Sequence, residues 1–410
     1  MNEGYNKASR LKGRRILFGV TGSIAVFKAA AWVRSLTREE ARVSVVMTKA
    51  ATRFVSGLTF AALSGERVYR GMFSESSPDT MAHITLGREA DLVLVAPATA
   101  QTISRLAHGM AEDLLSAAIL AARVPVVVCP AMNSRMLSHP ITQENLEKLR
   151  FIGYTIVSPE KGELACGEEG AGRLADWDVV RETCIARMTP QDLAGRPVLI
   201  TAGATREPLD PVRYLTNRSS GKMGYALART AWRRGARVTL ISAPVSLEPP
   251  PGVEVVAVNT ANEMRQAVLK YADTASVIVS AAAVADFRPA RRAAAKIKKH
   301  GASPIIDLVP NPDILAELGR NRKNGQVLVG FAAESHDHER EGARKLEEKN
   351  LDLIVVNDIL GRDTGFEVNT NQVTILQRNG EPLHLPLLSK IETADRIWDQ
   401  VVPLLDRHAA

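Results

Sequence analysis

Cys166 is one of three cysteines in the 410-residue chain, and it stands among glycines and carboxylates in ELACGEEGAGR, residues 163–173. If the neighbouring Glu163, Glu168 and Glu169 lie close to it, they raise the pKa of the thiol and make it a poor nucleophile. A protonated thiol on a flexible loop that closes over a substrate can instead donate a proton. An incidental loop cysteine explains the residue equally well, so the pattern alone leaves both interpretations open.

Three short polar stretches follow predicted strands and would meet at one edge of a parallel sheet. GVTGSIAVFK, residues 19–28, is a turn whose free N–H groups suit a phosphate, with an ordinary tight turn as an equal alternative. It lacks the GxGxxG pattern, so a mononucleotide or flavin phosphate fits better than a dinucleotide. PATAQT, residues 97–102, and CPAMNSRM, residues 129–136, are ordinary loops if taken singly. A lone histidine such as His83 is more often structural than catalytic.

The second half contains a long polar loop, TAGATREPLDPVRYLTNRSSGKMG, residues 201–224, which ends where a helix is predicted to begin. Its N–H groups, serine hydroxyls and Lys222 suit an anion, although a capped helix start is also credible. It is not a Walker A loop, because Met223 follows the lysine. KIKK, residues 296–299, lies ten residues after Asp286. A solvated charge run is the usual explanation, but lysines near a carboxylate also suit a triphosphate with Mg²⁺.

The elements that would position these motifs alternate between strand and helix, which predicts βαβ units and parallel sheets. In the first half the predicted strands are residues 14–22, 43–48, 91–98 and 124–131, and the predicted helices are residues 23–40 and 111–123. In the second half the predicted strands are residues 196–203, 237–244, 253–258, 276–284, 327–334 and 351–358, with a helix at residues 219–235.

Two further patterns complete the predicted α/β organisation. Residues 371–387 predict an antiparallel hairpin that turns at Asn379-Gly380. TPQDLAGR, residues 189–196, is a polar stretch with proline and glycine that is typical of a domain boundary. The prediction is therefore an α/β chain of two domains, residues 1–190 and 191–410.

Composition excludes several classes of protein. A content of 45% hydrophobic and 24% charged residues is typical of globular domains, and no apolar run is long enough to cross a bilayer. The polar start lacks a secretory signal, and three scattered cysteines predict reduced thiols and a cytoplasmic location. The net charge of +7 is dispersed and aromatic residues make up 5%, so phosphorylated small molecules are expected as partners, with no nucleic acid and no membrane.

Taken together, the motifs resemble the bacterial family of bifunctional phosphopantothenoylcysteine decarboxylase/phosphopantothenate–cysteine ligases of coenzyme A biosynthesis, over nearly the whole chain. GSIA, PATAQT, PAMNSRM and ACGEEGAGR are similar to its flavoprotein half. TREPLDPVRYLTNRSSGKMG, AAVADFRP, KIKK, NPDI and GFAAE are similar to its ligase half. The resemblance implies a Rossmann-like flavoprotein of the flavin-containing Cys decarboxylase type, followed by a Rossmann-like ligase domain that carries the added hairpin.

In the first domain the resemblance implies that Cys166 is a proton donor on a flap and that His83 is the catalytic histidine. Asn133 would contact the substrate carboxylate, and Ala131, Met132 and Arg173 would complete the substrate site. The residues implied to hold FMN are Gly22, Ser23, Ile24, Thr48, Ala98, Thr99, Ala100 and Gln101.

In the second domain the resemblance implies that Asn217 acts on an acyl-cytidylate and that Lys296 is catalytic. Mg²⁺ would arrive with CTP, near Asp286, and no ligand set for it is implied. The residues implied for CTP are Ser280, Ala281, Ala282, Asp286, Lys296, Asn311, Pro312, Asp313, Ile314, Phe331, Lys345 and Lys349.

The implied function is CTP-dependent ligation of 4'-phosphopantothenate with L-cysteine, followed by FMN-dependent decarboxylation to 4'-phosphopantetheine. The implied assembly is a homo-oligomer with a trimeric flavin core and ligase dimers, up to a dodecamer. The sequence departs from the family at Gln101, where Asn is usual, at Leu137, where Trp is common, and at Ala204, where Gly is common.

Two other classes of function are less well supported by the sequence. Some relatives of the flavin half are regulatory proteins that bind phosphatases and have lost the catalytic cysteine, whereas this chain has both His83 and Cys166. A nicotinamide-dependent dehydrogenase would also have an α/β pattern, but the missing GxGxxG motif counts against it.

Overall fold

The computed structural model describes residues 10–72, 81–165, 167–298, 305–334, 338–358, 368–378 and 380–409. The chain divides between Pro190 and Gln191 into two compact units. Each unit is built on its own largely parallel sheet, which confirms the predicted α/β class. Within the described ranges no helix combines the length and the apolar character needed to span a membrane.

The first unit contains a six-stranded sheet. Its strands are β1 (Arg15–Val20), β2 (Arg42–Met47), β3 (Val68–Tyr69), β4 (Leu92–Ala98), β5 (Val126–Pro130) and β6 (Thr155–Ile156). All pairings are parallel, in the order β3-β2-β1-β4-β5-β6. A separate antiparallel hairpin consists of β7 (Glu160–Glu163) and β8 (Glu169–Arg173). The helices are α1 (Val26–Arg38), α2 (Gly57–Ser64), α3 (Ala82–Glu89), α4 (Ala100–Ala107), α5 (Leu114–Ala121), α6 (Ser134–Ser138), α7 (Pro140–Phe151) and α8 (Trp177–Arg187).

Both faces of this sheet are covered, because alternate residues of each strand enter different cores. Phe18 of β1 belongs to the core that includes Trp32 of α1 and Val180 of α8. Its neighbour Leu17 belongs to the other core, with Leu115 of α5. The strand order reverses between β1 and β4, and ligands of such sheets bind beyond the carboxyl ends of the strands at that reversal.

The second unit is larger and has a mixed sheet. Its strands are β9 (Pro197–Ala202), β10 (Arg206–Pro208), β11 (Tyr214–Thr216), β12 (Arg237–Ser242), β13 (Glu254–Ala257), β14 (Val277–Ser280), β15 (Phe287–Pro289), β16 (Leu308–Pro310), β17 (Val327–Glu334), β18 (Leu353–Asp358), β19 (Thr370–Asn371), β20 (Val373–Gln377), β21 (Leu383–His384) and β22 (Leu388–Ser389). Its helices are α9 (Lys222–Arg233), α10 (Ala261–Ala272), α11 (Ile314–Arg320), α12 (His338–Glu348) and α13 (Lys390–Ala409). The main sheet has the order β13-β12-β9-β14-β17-β18-β20-β21, in which β20 and β21 are the antiparallel members.

Three local predictions can be compared with these elements. The pairing of β20 with β21 confirms the hairpin predicted in residues 371–387, while Asn379 of its predicted turn lies outside the described residues. The predicted helix at 23–40 begins only at Val26, because Ser23 still belongs to the turn after β1. The predicted strand at 276–284 ends at Ser280, because the chain then turns to bond with the loop after β9.

Candidate active sites

The buried hydroxyl of Thr21 joins the two loops predicted to hold the flavin. Its Oγ1 donates to the carbonyl of Pro97 at 2.6 Å and accepts from the N–H of Thr99 at 3.0 Å. Thr21 is 1% exposed, so these bonds form away from water and fix the spacing between the loops after β1 and β4. Thr21 was not among the residues predicted for the flavin site, although its position between a strand and the glycine turn was a usable signal.

The turn after β1 presents the start of α1 to the same edge of the sheet. Ser23 Oγ accepts from the N–H two residues later at 3.3 Å. A Cβ on Gly22 would clash with Ala50, so glycine lets this turn approach the loop after β2. Thr48 of that loop is half-buried, and Ile24 is exposed. The N–H groups of the helix start and these hydroxyls are a donor set that fits the phosphate of a flavin mononucleotide.

The loop after β4 contributes mostly backbone to this edge. Ala98 is buried and Ala100 is half-buried. Thr99 is the N-cap of α4, where its hydroxyl accepts from the N–H of Thr102 at 3.4 Å. Gln101 is exposed, so the departure from the family pattern changes a surface side chain rather than a core residue.

The glycine-rich segment predicted as a flap is the β7–β8 hairpin, and its base is bonded to the PAMN loop. The N–H of Met132 donates to the carbonyl of Gly172 at 3.1 Å, and a Cβ on Gly172 would clash with the Met132 carbonyl. Asn133 Nδ2 donates to Glu168 Oε2 at 3.0 Å. The structure therefore brings Asn133 to the turn of the hairpin, while Cys166 lies outside the described residues.

The remaining residues implied for the first site are less constrained. Ala131 is buried and its N–H donates to the carbonyl of Ala98 at 3.1 Å. Arg173 is exposed at the end of β8. His83 is half-buried in the first turn of α3, and within the described residues no hydrogen bond joins its ring to the strand-end loops. Leu137 packs against the core that lies under α5 and α7.

The second unit holds a cavity of about 570 Å³ beyond the carboxyl end of β14. Asn217 and Lys222, from the long polar loop and the start of α9, contribute to its wall. Except for Lys296, the residues implied for CTP also line it, namely Ser280, Ala281, Ala282, Asp286, Asn311, Pro312, Asp313, Ile314, Phe331, Lys345 and Lys349. The fold thus gathers distant motifs at one cavity: Ser280 ends the parallel strand β14, whereas Asn217 and Asn311 follow strands of small antiparallel pairs.

Threonine hydroxyls hold one wall of this cavity in place. The N–H groups of Ala282 and Ala285 donate to the hydroxyls of Thr201 and Thr205 at 3.1 and 3.0 Å. Asn217 Nδ2 donates to a carbonyl of the same loop at 3.2 Å. Since the alanines have small side chains, a ligand can approach the backbone of this wall closely.

An ion pair forms part of another wall. Lys349 Nζ lies 2.9 Å from Asp313 Oδ2, and Asp313 Oδ1 accepts from the N–H of Ala316 at 2.9 Å. Burial disfavours the carboxylate, but the bonds from Lys349 and from backbone N–H groups outweigh it, so the pKa of Asp313 lies below its usual value. A phosphate that binds Lys349 would therefore compete with Asp313.

Lys296 does not line the cavity, and its side chain is exposed. The backbone next to it is bonded to the buried carboxylate of Asp210. The N–H of Ile297 donates to Asp210 Oδ2 at 3.2 Å, and Arg213 Nη1 donates to the carbonyl of Ile297 at 3.3 Å. The N–H of Val212, and then those of Ile297 and Arg213, lower the pKa of Asp210 against the opposing effect of burial. Asp210 was not among the residues predicted for the ligase site.

Three further polar residues, none of them predicted to bind a ligand, line the cavity. Lys390, the first residue of α13, is 6% exposed. Burial, and then the charge of Lys222, lowers the pKa of Lys390 to about 8. Asn357 and Asn371 each place a buried Oδ1 here without a hydrogen-bond partner in the described part of the chain. The sequence spacing carries no signal for these three residues.

Two family models match most of the chain. The model of the DNA/pantothenate metabolism flavoprotein C-terminal domain matches residues 193–404, and the flavoprotein model matches residues 5–189. The coenzyme A biosynthesis bifunctional protein CoaBC of Bacillus subtilis (strain 168) is 46% identical over 398 residues, which cover 96% of this chain and 98% of the relative. The chain belongs to the CoaBC family. CoaBC of Mycobacterium tuberculosis (strain ATCC 25618 / H37Rv) is also 46% identical, over 96% of this chain and 97% of the relative.

Two solved structures are each similar in sequence to part of the chain. The C-terminal domain of a coenzyme A biosynthesis bifunctional protein CoaBC is 41% identical, covers 53% of this chain and 99% of its own, and has a TM-score of 0.46. The FMN-dependent cysteine decarboxylase SpaF is 33% identical, covers 43% of this chain and 98% of its own, and has a TM-score of 0.38.

Proposed function

We propose that the two units of this bifunctional enzyme of coenzyme A biosynthesis divide its two reactions between them. Residues 191–410 form the CTP-dependent ligase that joins 4'-phosphopantothenate to L-cysteine. Residues 1–190 form the FMN-dependent decarboxylase that converts 4'-phosphopantothenoylcysteine to 4'-phosphopantetheine. The observation that supports this division best is the cavity of the second unit, because the residues implied for CTP line it, apart from Lys296.

In the ligase unit, the substrate carboxylate must first be activated because it is a poor acyl donor. The carboxylate attacks the α-phosphorus of CTP, pyrophosphate leaves, and an acyl-cytidylate forms. The neutral amine of cysteine then attacks the acyl carbon and CMP leaves, while the amine proton passes to a base or to solvent. Lys345 and Lys349 would neutralise charge on the phosphates, and Asn217 would position the acyl-cytidylate.

Asp286 and Lys296 would act at the exposed side of the same cavity. Both side chains are exposed, and Asp286 lines the cavity. A carboxylate at this position suits Mg²⁺ that is shared with the triphosphate. Lys296 would reach the triphosphate from the segment that Asp210 anchors.

In the decarboxylase unit, Gly22, Ser23 and the start of α1 would hold the phosphate of FMN. Ile24, Thr48 and the loop of Ala98, Thr99, Ala100 and Gln101 would surround the rest of the cofactor. When bound, FMN supplies the oxidation of the thiol-bearing carbon of the substrate and the return of those electrons after CO₂ has left.

The protein groups around that substrate bind it and move a proton. Asn133 would bind the carboxylate and orient it. Ala131, Met132 and Arg173 would complete the substrate site. His83 would act as the catalytic histidine. Cys166 would donate a proton to the carbon that has lost CO₂, from the hairpin that contacts Asn133 through Glu168.

We also propose that the enzyme is a cytoplasmic homo-oligomer with a trimeric flavin core and ligase dimers, up to a dodecamer. Large apolar side chains of the first unit support self-association, since Phe27 is 63% exposed and Leu58 is 73% exposed. Burial of such a surface against another copy would remove it from water.

The test is a mass spectrum of the products after incubation with 4'-phosphopantothenate, cysteine, CTP and Mg²⁺. We expect 4'-phosphopantetheine, with consumption of CTP. Accumulation of 4'-phosphopantothenoylcysteine would contradict the role of the first unit and leave the ligase standing. Consumption of neither substrate would contradict the ligase role, and supplied 4'-phosphopantothenoylcysteine would then test the decarboxylase role by itself.

A further inference from the structure

A carboxylate of the β7–β8 hairpin is bonded to the asparagine that is proposed to bind the substrate carboxylate. Asn133 Nδ2 donates to Glu168 Oε2 at 3.0 Å. The other end of the same amide is also held, because Asn133 Oδ1 accepts from the N–H of Arg135 at 2.9 Å. The amide donor of Asn133 therefore points to the hairpin, where a carboxylate of the chain itself is its partner.

The backbone of the hairpin places Glu168 at this position. The N–H of Leu164 donates to the carbonyl of Glu168 at 2.8 Å, which closes the turn between β7 and β8. Further along β8, a Cβ on Gly170 would lie 2.9 Å from the Cβ of Ser134, so glycine lets the strand pack closely against the residue after Asn133. The contact between Glu168 and Asn133 thus follows from the packing of β8.

The carboxylate of Glu168 is held by this one amide rather than by a cation. In the described part of the chain no lysine, arginine or histidine side chain forms an ion pair with it. Glu168 is exposed, so water can replace the amide as its partner. Exchange of an exposed hydrogen bond for one to water changes the free energy little. Another carboxylate that approaches Asn133 can therefore displace Glu168.

Two carboxylates would not share Asn133 comfortably. An amide nitrogen carries two hydrogens, so it could in principle donate to both. Two carboxylates bonded to one nitrogen would, however, lie within the roughly 4–6 Å over which like charges disfavour each other. The substrate carboxylate and the carboxylate of Glu168 should therefore exclude one another at this amide.

We propose that Glu168 sets the relative affinities of substrate and product, as an internal competitor of the substrate carboxylate for Asn133. The inference rests on the proposed decarboxylase function of the first unit. A ligand with a carboxylate must displace Glu168, whereas a ligand without one leaves the bond between Glu168 and Asn133 intact. Once CO₂ has left, the product has no carboxylate, and Glu168 returns to Asn133.

The experiment measures competitive inhibition of decarboxylation by the full-length protein with FMN bound. The first inhibitor, 4'-phosphopantothenoylserine, keeps the carboxylate and has a hydroxyl in place of the thiol on which oxidation depends. The second, 4'-phosphopantothenoylethanolamine, also lacks the carboxylate. Inhibition of decarboxylation reports binding at the first unit, and a titration followed by flavin absorbance gives the dissociation constants without turnover.

The test variant is Glu168→Gln, and Glu169→Gln is its matched control, because Glu169 is the next residue and is also exposed. We expect Glu168→Gln to bind 4'-phosphopantothenoylserine roughly three- to tenfold more tightly, since a neutral amide oxygen is a weaker acceptor than a carboxylate. Its affinity for the ethanolamine analogue should stay within about twofold of the wild type. Glu169→Gln removes the same charge without the bond, so both affinities should change by less than about twofold.

A second variant and a second background sharpen the test. Glu168→Ala removes the acceptor altogether and should gain at least as much affinity for the serine analogue as Glu168→Gln. In an Asn133→Ala background the competition has no object, so Glu168→Gln should leave both inhibition constants unchanged. Absorbance of bound FMN after gel filtration shows that each variant is folded.

Unchanged or weaker binding of 4'-phosphopantothenoylserine by Glu168→Gln and Glu168→Ala would overturn the proposal, because Glu168 would then not oppose the substrate. An equal gain in Glu169→Gln would also overturn it, since net charge alone would explain the effect. Failure of the wild type to decarboxylate 4'-phosphopantothenoylcysteine is a different result, because it contradicts the proposed function of the first unit and not merely the role of Glu168.

Discussion

The two candidate sites lie at the same kind of sheet edge but are built from different chemical groups. The flavin edge consists of helix-start N–H groups and hydroxyls such as those of Ser23 and Thr48, around the buried bridge of Thr21. The ligase cavity is lined by lysines and carboxylates, of which Lys349 and Asp313 already form an ion pair. Fixed backbone donors suit a cofactor that remains bound. Ion pairs that can exchange partners suit charged substrates that enter and leave.

The segments that carry Cys166 and Lys296 are also anchored differently. The hairpin of β7 and β8 is bonded to its neighbour through the backbone of Met132 and Gly172. The segment of Lys296 is held by the side chain of Asp210, which accepts from three backbone N–H groups. The hairpin anchor depends on the absence of a Cβ at Gly172, and the Lys296 anchor depends on the charge of Asp210. Substitutions should therefore disturb the two anchors independently.

The largest effect should come from Cys166→Ser, which would separate the two reactions. The serine hydroxyl is a much weaker acid than the thiol, so protonation after CO₂ loss should slow by roughly 10²- to 10⁴-fold. Mass spectrometry should show a decarboxylated, unsaturated thiol in place of 4'-phosphopantetheine. Ligation should proceed at the wild-type rate, and full production of 4'-phosphopantetheine would disprove the proton-donor role.

Asp210→Asn should affect the ligase alone. The amide places a donor opposite backbone N–H groups, so the Lys296 segment loses its anchor and kcat for ligation should fall roughly tenfold. Decarboxylation of supplied 4'-phosphopantothenoylcysteine is the internal control, and Asp273→Asn, at an exposed ion pair, is the matched substitution. Ligation unchanged from the wild type would show that the anchor does not matter for Lys296.

The lowered pKa of Asp210 also predicts that the free energy of unfolding depends on pH. Its pKa is lowered in the folded state, so its contribution is present above the ordinary carboxyl pKa of about 4 and is lost as the pH falls further. In acid unfolding followed by circular dichroism, the stability of Asp210→Asn should therefore depend less steeply on pH below about 4. An unchanged slope would argue against this linkage.

Thr21→Val should weaken the flavin edge by a smaller amount. The substitution leaves the Pro97 carbonyl and the Thr99 N–H without a partner, at a cost of about 1–3 kcal/mol in the free energy of unfolding. Thermal unfolding measures this cost, and FMN absorbance after gel filtration measures cofactor retention. Thr183→Val, at a helix position on the same unit, should change stability by less than about 0.5 kcal/mol. If Thr21→Val and Thr183→Val are equally stable, the hydrogen bonds of Thr21 do not stabilise the flavin edge.

The smallest effect is expected for Gln101→Asn, which restores the residue usual in the family. Because Gln101 is exposed, the dissociation constant of FMN should change by less than about twofold, as for most surface substitutions. Fluorescence titration of the apoprotein with FMN checks this. A tenfold gain would show that the side chain contacts the cofactor.

The sequence by itself determined the α/β class and most of the strands, because strands covered on both faces are continuous apolar runs. Residues 91–98 show this, since every residue of β4 within them is buried. It also placed polar motifs at the ends of those strands, and parallel strands bring such ends to one edge. The position of Ser280 at the cavity follows from that rule, whereas Asn311 follows β16 of a separate antiparallel pair.

Only the tertiary structure decided which polar groups are buried together. Thr21 finds its partner 76 residues away, and the N–H of Ile297 meets Asp210 from 87 residues away. Lys390 has an unremarkable position in the sequence, and its pKa depends on burial and on Lys222 from another helix. Burial and through-space charge are properties of packing, so no spacing along the chain encodes them.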